Sequence, residues 1–294
     1  YVTETTNGEV MLRPTVGSEF GTVPADWFVT PWTAGGGAVV TDGKLVVDGA
    51  LAGHDSFHQP GRSLEFVATF TEVQQHVGFG TDFNAGPWAI FSTDASNTQL
   101  YARTNPGAGD SCPTPSGSCT LLGSGLVGSP HRFRIVWTTS AVTYFIDGVE
   151  VASHAIAINA PMRPLAASDY NLGGGSLSSD WFRMSPYAPS GVFLSRLFDA
   201  QLPTNIWGEM SWHADVDVSN GRSLAMSVRT GNSTPTGKPT PAVVIRTEGD
   251  LRLAGSEVWY WISGAVLIVG VWLALNLDDS PTGRAFRALH ESEV

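Results

Sequence analysis

Residues 132–156 read RFRIVWTTSAVTYFIDGVEVASHAI, and this stretch decides the fold. Apolar and polar side chains alternate along it, which is the period of a β-strand that buries one face. Asp147-Gly148 separates two such runs, and this pair tolerates the positive φ angles of a tight hairpin turn. We therefore predict two or three antiparallel strands here, joined by short turns.

The same alternation continues on the N-terminal side of this stretch. RSLEFVATF (62–70) and HVGFGTDF (76–83) each place apolar residues on one face and polar residues on the other. Short strands recur between turn signals from residue 20 to residue 187, at the spacing of a sandwich or barrel. No window carries the pattern of a capped amphipathic helix. The sequence therefore predicts an all-β protein.

The composition excludes some classes of partner. Of the 294 residues, 15% are charged, and 16 basic against 27 acidic residues give a formal charge of −11. A nucleic-acid binder needs cationic groups to displace counterions from phosphates, so we expect no nucleic acid as a partner. The same shortage of positive charge disfavours binding to an anionic membrane surface.

A boundary between two modules falls near residues 184–193, where Pro186, Pro189 and Gly191 interrupt the strands. Strand-like segments resume beyond it, separated by the turn-rich GNSTPTGKPTP. We predict one β-sandwich over residues 1–187 and a second β-sandwich module over residues 190–294.

One apolar segment, VWYWISGAVLIVGVWLALNL (258–277), has no charged residue and is long enough to span a bilayer as a helix. Gly264 and Gly270 divide it into pieces of strand length, and its flanks are acidic instead of basic. Buried strands also form continuous apolar runs. We predict two buried strands here, with a membrane anchor as the alternative.

Cys112 and Cys119 are the only cysteines and lie in a stretch rich in Gly, Ser and Pro. We predict a disulfide, because two thiols without a nearby histidine make a poor metal site. A disulfide indicates an oxidising compartment, so we expect an extracellular or cell-surface location. The sequence begins at Tyr1 without a signal peptide, and export is expected to use a leader or further domains outside it.

HRFRIVWTTSAVTYFIDGVEVASH (131–154) resembles the concanavalin A-like, laminin-G-like sandwich superfamily, in which a strand ending in Trp leads into such a hairpin. EFGTVPADWFV and GKLVVDGA resemble its entry strands, and the resemblance covers about residues 14–187. It implies a jelly-roll fold. The superfamily includes lectins, adhesion modules, glycoside hydrolases and polysaccharide lyases, so function is left open. GVWLALNLDDSPTGRAF (270–286) resembles a β-sandwich repeat of bacterial secreted surface proteins.

The laminarinase-type hydrolases of this superfamily carry two acids on one strand, in the form E-hydrophobic-D-x-x-E. A retaining mechanism needs two carboxyl groups about 5–5.5 Å apart, which strand alternation can supply. Glu65 and Asp82 each lack an acid two or four residues away on their strand. We therefore do not expect hydrolysis by that route.

A set of polar and aromatic residues lies opposite the apolar alternation and forms the candidate ligand site: Glu65, His76, Asp82, Trp88, Tyr101 and Arg103. If their strands are neighbours, an indole ring could stack on a sugar while the polar groups bind its hydroxyls. The same residues could serve a lyase, with His76 or Tyr101 as base and Arg103 neutralising a uronate. The alternative without function is a solvated sheet face.

Metal sites have weaker support. His54 and His58 have i, i+4 spacing, but Gly and Pro around them indicate a surface turn instead of a helix. Calcium is the one candidate cofactor, because carboxylate oxygens are its ligands in proteins. The residues that could contribute such oxygens are Asp82, Asn84, Asp94, Asp215 and Asp217.

These observations predict a non-catalytic extracellular carbohydrate-binding or adhesive segment of a larger secreted protein. Its expected partner is a carbohydrate or cell-surface glycan, with self-association or neighbouring domains as further partners. Two alternatives stay open: a structural stalk, sheath or filament subunit, and a polysaccharide-processing enzyme, either a lyase or a glycoside hydrolase.

Overall fold

The computed structural model describes residues 2, 3, 9–96, 98–107, 112, 118–168, 172–195, 223–227 and 244–246. The chain divides into two compact units, Tyr1–Ser195 and Arg196–Val294. In the second unit the described strands are β16 (Ala225–Ser227) and β17 (Val244–Arg246), which pair antiparallel.

The first unit is built from antiparallel strands arranged in two sheets. The front sheet has the order β10-β9-β8-β7-β14-β5-β2, and the back sheet has the order β13-β12-β11-β6-β15-β4-β3, with β1 paired to β15. The bounds are β1 Pro14–Ser18, β2 Trp27–Pro31, β3 Gly37–Thr41, β4 Lys44–Asp48, β5 Ala50–His54, β6 Arg62–Thr69, β7 His76–Gly80, β8 Trp88–Thr93, β9 Leu100–Asn105, β10 Cys119–Gly123, β11 His131–Trp137, β12 Val142–Ile146, β13 Val149–His154, β14 Arg163–Ala167 and β15 Leu177–Tyr187.

The core lies between the two sheets and is rich in aromatic rings. Phe66 stacks on Phe133 and Phe182 with ring centroids 5.5 and 5.2 Å apart, all three on the back sheet. Phe91 of the front sheet meets Phe133 at 4.7 Å. Such contacts add to the free energy gained by removing these rings from water. The prediction of an all-β sandwich of two sheets is confirmed for this unit.

The hairpin and disulfide predictions are also confirmed. Asp147 and Gly148 join β12 to β13 with φ angles of 50° and 85°, the left-handed values that a tight turn requires. Cys112 and Cys119 form a disulfide with their Cα atoms 5.6 Å apart. The disulfide ties the chain before β10 to the first residue of that edge strand.

The remaining sequence predictions about organisation are untested. The segment 258–277 lies outside the described residues, and so does most of the proposed second sandwich. The stretch that resembles a surface-protein repeat also lies outside them. Among the residues that the structure describes, no helix is long and apolar enough to cross a bilayer. The boundary between residues 187 and 190 stays a prediction.

Candidate active site

Three neighbouring strands of the front sheet bring most of the candidate residues together. In the β7–β8 pair His76 lies opposite Ser92, and in the β8–β9 pair Ser92 lies opposite Tyr101. Arg103 follows two residues along β9, opposite Ile90. Adjacent strands are about 4.8 Å apart, so the backbones of His76 and Tyr101 are about 10 Å apart with Ser92 between them.

These side chains are on the outer face of the front sheet. Val77, Phe79 and Phe91 point inward and are fully buried in the core between the sheets. Because side chains alternate along a strand, His76, Ser92 and Arg103 must point the other way. Tyr101 also points outward, yet it is only 4% exposed, so neighbouring groups cover this part of the face.

Ser92 is the hub of a hydrogen-bond network at the centre of this face. Its Oγ lies 2.7 Å from His76 Nδ1, accepts a hydrogen bond from Arg103 Nη1 at 3.1 Å and donates to the Thr93 carbonyl at 3.0 Å. A hydroxyl donates once and accepts twice. With its proton directed to Thr93, Ser92 accepts from His76 Nδ1–H, and this assigns the neutral imidazole tautomer.

In this tautomer the other ring nitrogen of His76, Nε2, carries the lone pair. Within the described residues Nε2 makes no hydrogen bond, so it is available to accept a proton. Burial, and secondly the positive charge of Arg103, lower the pKa of His76 to about 3. The ring is therefore uncharged at neutral pH.

The surroundings of Tyr101 favour the protonated form of its phenol. Burial and the nearby Asp94 carboxylate raise the pKa of its phenol, while Arg103 lowers it by less. The hydroxyl donates a hydrogen bond to Gln99 Oε1 at 3.2 Å. The Asp94 oxygens accept hydrogen bonds from the Ala95 N–H at 2.6 Å and from Ser96 Oγ at 2.8 Å.

The outer face also carries aromatic rings on both sides of His76. The guanidinium of Arg103 lies 5.9 Å from the ring centroid of Trp88. On the opposite side, the outer face is apolar where Leu51, Leu165 and Ala167 pack beneath Phe28, Trp32 and Phe83. The polar outer face of β7–β9 therefore borders an apolar surface of the same sheet.

Two predicted site residues do not join this group. Glu65 is on β6, which belongs to the back sheet, and its carboxylate binds Arg132 Nε at 2.6 Å. The core separates it from His76, so its inclusion in the site was wrong. Asp82 lies in the β7–β8 loop, and its Oδ1 accepts hydrogen bonds from the backbone N–H groups of Asn84 and Ala85. It stabilises that loop and is absent from the Ser92 network.

Sequence reasoning missed Ser92 and assigned Asp94 only to a metal site. Both were detectable, because Trp88, Ile90 and Ser92 occupy alternate positions of one strand and Asp94 continues the spacing just beyond its end. A single serine carries no motif of its own, and only the register with His76 and Arg103 shows what it does.

Within the described ranges, no three His, Cys, Asp or Glu side chains converge as metal ligands would. His54 and His58 have ring centroids 5.8 Å apart, but His54 Nε2 lies 3.3 Å from Asp26 and its Nδ1 accepts from the Ser56 N–H. His54 is 8% exposed, so the expected surface position was wrong for it. Asp215 and Asp217 lie outside the described residues, and calcium stays a prediction.

Comparison with known proteins finds likeness in three dimensions only. No family model matches the chain, and no curated protein matches it. The solved β-glucanase of Bacillus licheniformis matches 58% of this chain and 97% of its own, at 12% identity and a TM-score of 0.44. The Crh5 transglycosylase matches 60% and 85%, at 18% identity and 0.44. The endo-β-1,3-glucanase of Pyrococcus furiosus matches 60% and 95%, at 13% identity and 0.43. At these identities the likeness concerns the fold.

The prediction of a non-catalytic binding or adhesive segment is contradicted by these comparisons. The proteins that share the sandwich are named as two glucanases and a transglycosylase, which are enzymes of glycans. The alternative of a stalk, sheath or filament subunit is untested.

Proposed function

We propose that the outer face of β7–β9 is the active site of an extracellular polysaccharide-processing enzyme that cleaves uronate-containing chains by β-elimination. The observation that carries this proposal is the hydrogen-bonded group of His76, Ser92 and Arg103, with Tyr101 in the same row. Elimination from a uronate needs a cation for the carboxylate, a base for the C5 proton and an acid for the leaving oxygen. The face offers one group for each task.

Arg103 is the group for the substrate carboxylate. Its guanidinium is oriented by the hydrogen bond to Ser92 and lies beside the ring of Trp88. Pairing with a guanidinium withdraws electrons from the carboxylate and makes the neighbouring C5 proton more acidic. The indole of Trp88 is placed to contact the apolar side of the same sugar.

His76 is the base, acting through Nε2. Its low pKa keeps the imidazole uncharged, and the bond from Nδ1–H to Ser92 fixes the tautomer and the direction of the lone pair. The carboxylate of a bound uronate would offset the positive charge of Arg103 near the ring. This change favours the imidazolium, so substrate binding raises the pKa of His76 toward the range in which a base is effective.

Tyr101 is the acid that completes the reaction. His76 takes the C5 proton, the C5–H electron pair becomes the C4–C5 double bond, and the C4–O bond breaks with its electrons on the glycosidic oxygen. Tyr101 donates its proton to that oxygen, which leaves as a hydroxyl group; for this step its hydroxyl has to leave Gln99 and the groups that cover it have to move aside. The raised pKa of the phenol keeps this proton in place until the oxygen develops negative charge.

The distribution of acids on this face favours elimination over hydrolysis. On the outward positions of β7, β8 and β9, and at the end of β8, Asp94 is the single carboxylate in the described structure. Both known hydrolytic geometries need a pair of carboxyl groups. The disulfide supports an extracellular site of action, since such bonds persist in oxidising compartments.

The test is to incubate the full chain with polyuronates and, separately, with neutral glucans. We expect new reducing ends from polyuronates in equal number to new double bonds, which are measured by their ultraviolet absorbance. His76→Gln should lower the rate by on the order of 10²- to 10⁴-fold. His131→Gln is the matched control, because His131 lies on the back sheet and pairs with Asp147. Reducing ends without double bonds, or no product from folded protein, would overturn the proposal.

A further inference from the structure

Phe83 has an unusual place beside the proposed base. It lies in the loop between β7 and β8, and its ring centroid is 5.9 Å from that of His76, with the two planes 78° apart. One side of the ring packs on the apolar group that contains Leu165. The residue is only partly buried, so part of it is open to solvent.

The backbone of Phe83 is strained. Its φ angle is 62°, in the left-handed region where a side chain with a bulky Cβ substituent is unfavourable. The surrounding loop holds it there: Asp82 Oδ1 accepts hydrogen bonds from the N–H groups of Asn84 and Ala85, and Thr81 Oγ1 donates to the Ala85 carbonyl. Asparagine or glycine would adopt this conformation at a lower cost.

The strand beneath is adapted to the ring as well. A Cβ atom on Gly80 would lie 2.5 Å from Phe83 Cε1 and 2.7 Å from Cδ1, closer than real Cβ contacts. Only glycine at position 80 leaves room for the ring to lie on β7. Two positions are therefore conformationally unfavourable so that the ring can lie on β7: an aromatic residue with a left-handed backbone, and a glycine inside a strand.

We infer that Phe83 is a specificity-determining residue, the aromatic platform on which the sugar next to His76 stacks. The left-handed turn at Phe83 sets its ring 5.9 Å from the imidazole of His76 as well as against Leu165. Sugar rings present C–H groups that pack on aromatic faces. This role rests on the proposed function, because it takes the substrate to be a uronate chain.

The experiment compares three variants of the full chain. Phe83→Asn removes the ring but suits the left-handed backbone, Phe83→Tyr keeps the ring, and Phe57→Ala removes a 47% exposed ring that stacks on Arg163. Each change is also combined with His76→Gln, so that a uronate oligosaccharide is bound without being cleaved. Binding is measured by calorimetry and stability by thermal unfolding.

We expect Phe83→Asn to weaken binding by about 3- to 10-fold, the range for loss of one aromatic contact. Its unfolding temperature should stay the same or rise, and Phe83→Tyr and Phe57→Ala should bind as the parent does. Unchanged binding by Phe83→Asn, or a lower unfolding temperature as its sole effect, would show that the ring only covers the sheet. If the oligosaccharide binds but the wild type never cleaves it, the proposed reaction fails while Phe83 is still tested by affinity. If it does not bind at all, both are overturned.

Discussion

Replacing Arg103 by glutamine should raise the pKa of His76, because the guanidinium is one of the two causes that lower it. Ser92 Oγ bridges the two groups, at 3.1 Å from Arg103 Nη1 and 2.7 Å from His76 Nδ1. For a separation between the two charge centres of about 7 Å and an effective dielectric constant of about 20, their repulsion is about 2.4 kcal/mol.

That energy corresponds to about 1.7 pKa units. We therefore expect the pKa of His76 to rise from about 3 to between about 4 and 5 in Arg103→Gln, with burial still holding it below 6.5. The sign is fixed by charge, since removing a neighbouring cation makes protonation of an imidazole easier.

Proton NMR titration of the histidine Cε1–H signals measures this shift, with His76 assigned from the spectrum of His76→Gln. Arg134→Gln is the control, because Arg134 lies on the back sheet against the ring of Phe145. It should leave the titration of His76 unchanged. The electrostatic account is refuted if wild-type His76 titrates near 6.5, or if Arg103→Gln leaves its pKa where it was.

Three further predictions concern stability. First, three histidines have lowered pKa values, so the unfolded state binds protons that the native state does not. The free energy of unfolding should therefore fall as pH drops below about 6.5, which denaturant titrations at a series of pH values would show, and a flat profile would contradict it. These residues are His58, His76 and His154. Second, Cys119→Ser opens a short disulfide ring, which should lower the free energy of unfolding by about 2.5 kcal/mol in the chain-entropy model. The denaturation midpoint should fall in this variant. Reducing the wild type should lower its midpoint in the same way, and reducing the variant should have no further effect. Third, Tyr144→Phe removes a hydroxyl that donates a hydrogen bond to the Arg103 carbonyl at 2.6 Å. The free energy of unfolding, measured by chemical denaturation, should fall by about 1–3 kcal/mol. An unchanged value would show that another bond replaces this buried one.

The sequence predicted the strands and the core because alternation is a local property. Phe66 and Phe133 could be assigned to a buried face from their neighbours alone, and Asp147-Gly148 marked its own turn. Alternation does not say to which sheet a strand belongs. Glu65 and His76 are close in sequence, yet the chain crosses from the back sheet to the front sheet between them.

The site depended on register, which the sequence did not provide. His76, Tyr101 and Arg103 were identifiable as outward polar residues, but Ser92 became significant only once it stood opposite His76 and Tyr101. Phe83 was likewise hidden, because its left-handed backbone arises from the hydrogen bonds of the Asp82 loop.

The most direct measurement is the ratio of double bonds to reducing ends released from a polyuronate by the wild-type chain and by Arg103→Gln. If Arg103, His76 and Tyr101 act as described, the wild type yields one unsaturated end for each bond it cuts, and Arg103→Gln yields neither signal at a comparable rate. Cleavage by the wild type that leaves only saturated ends, or undiminished elimination by Arg103→Gln, would contradict it.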